Sequence, residues 1–243
     1  MKIASVLIVA AASALLNGCD MPTASAAPDR PSQSRPALGS SPIVVELFQS
    51  QGCSSCPPAN AALNAIADRN DVIALSYAVT YWDRLGWKDT FADPSYTKRQ
   101  YAYAGSLGNS GVYTPQVVLN GRRAIVGNGP GELAQAVAAT HALANGPAIS
   151  AKDGMVTIGA GKGHGEVLLV RYDPRTHQVA IRAGENGGRK LPHRNIVRQL
   201  IRLGDWDGKS VGYRLPKKPD PAWQSVVLVQ TQSTGPIAAA RRL

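Results

Sequence analysis

Residues 43–58 read Ile43-Val44-Val45-Glu46-Leu47-Phe48-Gln49-Ser50-Gln51-Gly52-Cys53-Ser54-Ser55-Cys56-Pro57-Pro58. The first six are a β-rich apolar run of the kind that a strand covered on both faces shows. Gln49 to Gly52 read as a turn. Beyond the two cysteines, Ala59, Ala62, Leu63, Ile66 and Ala67 recur on one helical face, and Pro57 and Pro58 fall in the first turn, where a missing N–H is tolerated. Asn70-Asp71 ends that helix, and Val72 to Val79 is a second buried-type strand. A strand, a helix and a strand in this order predict a parallel βαβ unit with the dithiol at its strand-to-helix turn.

That placement carries chemistry. A cysteine at a helix N-terminus meets unsatisfied N–H groups and the positive end of the helix dipole, which favours thiolate over thiol. Cys53 is the expected attacking sulfur, and Cys56, one turn deeper, is placed to resolve a mixed disulfide. Three readings of the pair stay open: a redox-active dithiol, a static disulfide that pins the helix start, and a metal half-site. Zinc wants four ligands, no second cysteine pair exists, and the four histidines (141, 164, 177 and 193) lie far along the chain. Copper, held by two thiolates and a histidine, is the surviving metal option.

The 243 residues are 44% hydrophobic and 17% charged, enough for a core and against disorder. Three cysteines exclude a disulfide-dense scaffold. No run approaches the roughly 20 apolar residues of a membrane-spanning helix. Residues 1–146 carry 10 basic against 9 acidic side chains, and residues 147–243 carry 16 against 7, so the net charge of +10 sits in the second half. A domain boundary is expected near Pro147.

Met1-Lys2 and an uncharged stretch from Ile3 to Leu16 have the form of an export signal. Leu16-Asn17-Gly18-Cys19 resembles a bacterial lipobox, which implies acylation of Cys19, and Asp20 beside it resembles an inner-membrane retention signal. The competing reading is cleavage after Ala24-Ser25-Ala26, which would discard Cys19. Either way the chain is expected outside the cytoplasm, periplasmic and lipid-anchored on the first reading, with no nucleic-acid partner. Residues 20–42 read as a Pro/Ser/Ala-rich tether.

Further on, Val112-Tyr113-Thr114-Pro115 precedes Gln116 to Leu119, and Asn120-Gly121 between two β-type runs predicts a hairpin. Pro130 opens a helix that reads through Leu133, Ala134, Val137, Ala138 and His141 to Asn145-Gly146. These features together resemble the thioredoxin superfamily. The resemblance implies that Pro115 is cis and faces the dithiol, that Thr114 pairs with a substrate polypeptide, and that Glu46 takes the place of a buried acid. Between Val79 and Gly111 the chain is longer than that fold needs. Trp82 and Asp83 end the second strand on the dithiol's edge and are expected to shape the site. The plainer alternative makes Trp82, Trp87 and Phe91 core and Asp83 a cap.

From Pro147 onward, short strand-like runs at Met155–Ile158, Val167–Tyr172, Gln178–Arg182, Ile196–Leu203, Ser210–Leu215 and Trp223–Thr231 suggest a small sandwich with Trp206 and Trp223 in its core. Of these, Ile196–Leu203 also fits an amphipathic helix, and its β-branched start with alternating Arg198, Leu200 and Arg202 tips the reading to a strand. His164, His177 and His193 read as surface residues. The expected fold is thus an α/β thioredoxin-like domain (43–146, with a helical insertion about 80–111) followed by a smaller all-β, sandwich-like domain (147–243). With Glu46-Leu47-Phe48, Tyr81-Trp82-Asp83, Gly184-Glu185-Asn186 and Gly235-Pro236-Ile237, residues 43–243 resemble an exported bacterial thioredoxin-like family that is a domain of unknown function.

The expected function is a thiol–disulfide oxidoreductase working through Cys53 and Cys56, with no cofactor. Its partners would be protein thiols or disulfides and a recharging redox partner, with an acidic or membrane surface contacting the basic half. The alternatives are a non-enzymatic binding lipoprotein with a structural disulfide, and a copper-handling protein. An accessible Cys53 beside Pro115 favours the first, a buried pair the second, and a histidine in reach of both sulfurs the third.

Overall fold

A computed structural model describes residues 42–231 and 234–243. The export signal, Cys19, Asp20 and almost all of the tether lie outside the described residues. Strand β1 (Ile43–Gln49), helix α1 (Cys56–Ile66) and strand β2 (Val72–Ala78) form the expected parallel unit, in register from Ile43 opposite Val72 to Gln49 opposite Ala78. Every residue of both strands is buried, as their mostly apolar runs lead one to expect, with Glu46, Gln49 and Ser76 carried inside among them. A single 3₁₀ turn, Asp83–Leu85, follows, and then α2 (Pro94–Ser106), started by the Asp93 carboxylate accepting from the Ser95 amide.

Strands β3 (Gln116–Leu119) and β4 (Arg123–Ile125) pair antiparallel across the Asn120-Gly121 turn, where both residues have left-handed φ. That turn is pinned from the far end of the chain. A Cβ on Gly121 would sit 2.4 Å from the Gly235 carbonyl oxygen, and Ile237 donates its amide to the Asn120 carbonyl. Helix α3 (Glu132–Ala138) starts after Pro130, because Gly131 takes a left-handed φ just before it, and it ends short of His141.

The remaining strands are β5 (Ile149–Lys152), β6 (Met155–Ile158), β7 (Gly165–Asp173), β8 (His177–Ala180), β9 (Lys190–His193), β10 (Ile196–Trp206), β11 (Val211–Arg214), β12 (Gln224–Gln230) and β13 (Ile237–Arg242). They overturn the expected fold class, an α/β thioredoxin-like domain followed by a separate small sandwich. The described chain is mostly β, with three α-helices against thirteen strands, and its main sheet is a mixed, eight-stranded one in the order β13-β12-β7-β10-β2-β1-β3-β4. Four of those strands come from each half of the chain.

The two halves join where β10 runs parallel beside β2, with Ile196 opposite Ser76. Ser76 donates its amide to the Asn195 carbonyl, and the Asn195 side chain donates to the Ala74 carbonyl. The physical reason is the edge of β2. Left at a sheet margin, a buried strand would present unpaired backbone groups, and Asn195, just before β10, satisfies two of them.

One apolar core therefore runs through both halves, from Val44, Phe48, Ile73 and Tyr77 to Leu168, Val170, Val226 and Leu228. On the other face of β1 to β3, Leu63 of α1 and Leu133 of α3 cover Val45, Leu47 and Val117. Trp206 packs with Ile149, Ile158 and Val167 in a third cluster, as its expected core role requires, whereas Trp223 is only part-buried and lies under Arg198. The arm β8–β9 forms its own two-stranded sheet.

Candidate functional site

Cys53 and Cys56 form a disulfide, with Cα atoms 5.5 Å apart. Cys56 is the first residue of α1, and the N-cap position falls on Ser55. Ser55 does not cap the helix. Its hydroxyl instead donates to the Thr114 carbonyl at 3.3 Å and stands 3.4 Å from the Cys53 sulfur. The Thr114–Pro115 peptide is cis. The Trp82 indole N–H donates to the Thr114 hydroxyl at 2.8 Å, and Gly52 packs close to Trp82. Cys53, Cys56, Thr114, Pro115 and Trp82 are thus gathered at one edge of the sheet. Asp83 points elsewhere: its carboxylate accepts the Asp89 amide at 3.1 Å.

Gln51 carries the loop from behind. Its amide donates to the Asp89 carboxylate at 2.7 Å, and its side chain meets the Trp87 indole and Thr90. Burial pushes the Asp89 carboxyl up to about 6, against two backbone amides that favour its charged form. Glu46 is fully buried, and it is already neutralised: Arg99 of α2 donates to both its oxygens at 2.9 and 3.1 Å, and Arg99 also reaches Gln230.

From the second half, the turn at the tip of the arm β8–β9 lies on the dithiol loop. The Asn186 side chain donates to the carbonyls of Gln51 at 2.9 Å and Cys53 at 2.7 Å. The Glu185 carboxylate accepts from the Ser54 amide at 3.0 Å and its hydroxyl at 2.7 Å. Gly184 packs on Gly52 and Trp87. The sequence pattern marks Gly184-Glu185-Asn186 without assigning it a role, because nothing local ties a turn to a loop more than 130 residues away. Gln51 and Asp89 carry no recognisable motif at all.

Both sulfurs are closed to solvent: Cys53 is 0% exposed and Cys56 1%, on either side of the exposed Ser54 and Ser55. No third ligand joins them, since no group of three or more His, Cys, Asp or Glu side chains able to hold a metal occurs among the described residues. His193 is buried rather than on the surface, and it meets Asn60 of α1. Burial lowers its imidazole to about 4, with His177 adding to the effect. His177 bonds Asp173 at 2.8 Å, while His164 is exposed as expected.

Residues 44–230 match the family described as "Protein of unknown function (DUF1223)", and the chain belongs to it. It is similar to the crystal structure of Protein AGR_C_4864 from Agrobacterium tumefaciens, at 34% identity and a TM-score of 0.69, over 85% of this chain and 96% of that one. It also shares its fold with HBP35 of Porphyromonas gingivalis, at 12% identity and a TM-score of 0.53, over 84% of this chain and 75% of the other. No curated protein matches the chain.

Proposed function

We propose that the Cys53–Cys56 disulfide exchanges with protein thiols outside the cytoplasm. The observation that supports it most is the Ser55 hydroxyl, which ties the dithiol loop to the carbonyl preceding the cis Pro115 at 3.3 Å. That pairing of a Cys-x-x-Cys at a helix start with a facing cis proline is the local arrangement that thioredoxin-superfamily members use on substrates. Glu46 takes no part in proton transfer on this reading, because Arg99 holds it as an ion pair.

In the exchange, a partner thiolate attacks the Cys53 sulfur and breaks the Cys53–Cys56 bond, and Cys56 leaves as a thiolate that takes up a proton. The partner's second thiolate then attacks its own bound sulfur and releases Cys53. The partner ends as a disulfide and the chain as a dithiol, with two electrons and two protons transferred. Because both sulfurs are closed to solvent, the loop around them must open first.

The same burial favours a second reading, a structural disulfide in a binding protein. Against it stands ring size. Closing a loop between positions 53 and 56 removes little unfolded-state entropy, roughly 2 kcal/mol against about 4.7 for a 100-residue loop. Cys56→Ser separates the two. Exchange predicts that Cys53 of this variant accumulates mixed disulfides with other polypeptides, identified by mass spectrometry. A structural pair leaves none.

A further inference from the structure

Resting on the exchange reading, the turn bonded to the dithiol loop also sets a charge beside Cys53. Glu185 is exposed, yet its carboxylate is bonded to both the amide and the hydroxyl of Ser54, the residue next to Cys53. Those two donors hold its carboxyl below the ordinary range, so it is ionised at neutral pH. Among the described residues, Glu185 is the one charged side chain hydrogen-bonded to residues 53–56. The α1 N-terminus beside it favours a thiolate. A fixed negative charge in the same place opposes one.

We propose that Glu185 is a positioning residue for the dithiol: held on Ser54, its charge disfavours the Cys53 thiolate and biases the pair toward the disulfide. The direction of exchange follows. A less stable reduced form gives up electrons more readily, so Glu185 makes the protein a better reductant and a poorer oxidant.

The other ionisable groups around the loop are Asp89 behind Gln51, Asp83 on the Asp89 amide, Arg189 on the Asn186 side chain, His193 against Asn60, and Glu46 paired with Arg99. All of them remain in Glu185→Gln, which keeps an oxygen to accept from Ser54 and removes only the charge. A merely structural role would leave this variant unchanged.

The test equilibrates the full chain and Glu185→Gln with graded ratios of reduced to oxidised glutathione, followed by alkylation and mass mapping of Cys53. In parallel, the Cys53 thiol is titrated by its rate of alkylation against pH. The variant is expected to shift three- to tenfold toward the reduced form, about 15–30 mV. Its Cys53 thiol should titrate roughly 0.5 to 1 pH unit lower, and 1 M salt should shrink the difference. Identical equilibria and titrations would overturn the role of Glu185 while leaving exchange intact. A disulfide that resists glutathione in both proteins would overturn exchange itself, and this inference with it.

Discussion

The Asn186 side chain donates to the Cys53 carbonyl at 2.7 Å across 133 positions, so the second half of the chain holds the reactive loop of the first. Asn186 is fully buried and spends its other hydrogen on Gln51. Asn186→Ala leaves two buried carbonyls without these donors, at a cost of about 2–3 kcal/mol in chemical denaturation. Because the turn then lifts more easily, reduction of the disulfide by a small thiol should speed up about tenfold. An unchanged reduction rate would mean that the turn does not gate the pair.

Thr114→Val keeps the side-chain volume and removes the acceptor of the Trp82 indole. A loss of about 1 kcal/mol is expected in denaturation, together with a shift in tryptophan emission. Thermodynamic indifference with unshifted emission would show that Trp82 does not depend on Thr114 for its placement.

The buried pair of Arg99 and Glu46 links α2 to β1 and, through Gln230, to β12. Arg99→Met strands a carboxylate in the core and should cost about 3–5 kcal/mol. The double variant Arg99→Met with Glu46→Leu should recover most of that. Urea denaturation of the three proteins measures both effects.

Between pH 4 and 6 two buried groups act in opposite directions. Asp89 titrates near 6 in the fold against 3.8 unfolded, so stability falls as pH rises through that window. His193 titrates near 4 against 6.5, so the unfolded chain binds the extra proton and stability rises over the same range. Each effect is on the order of 3 kcal/mol, and together they nearly cancel. Asp89→Asn removes one of them, so its stability should climb from pH 4 to 6 while the parent's stays nearly flat. Parallel profiles would refute the pairing.

Much of the site was legible locally. Apolar runs, helix-start prolines, Asn120-Gly121 and the Thr114-Pro115 step are short-range signals, and β1, α1, β2 and the hairpin β3–β4 follow from them. Ile196–Leu203 also reads as a strand from its alternation, and β10 covers it. What the sequence hides is where β10 goes. One residue pair, Ile196 with Ser76, merges two expected domains into one sheet, and pairing over 120 positions leaves no periodicity to read. β9 and β13 escape for a related reason: Lys190-Leu191-Pro192-His193 and Ala238-Ala239-Ala240 have little strand propensity and are held by their partners. His193 reads as a surface residue because burial by a distant Asn60 has no local mark.

The reduction potential of the Cys53–Cys56 pair in the folded chain separates exchange from a static disulfide. Graded dithiothreitol redox buffers, with thiol trapping and circular dichroism to confirm that the fold persists, provide the measurement. Exchange predicts reversible reduction without unfolding and a potential above about −300 mV. A potential below that, or reduction only after the chain unfolds, would rule out exchange and leave the disulfide as a staple.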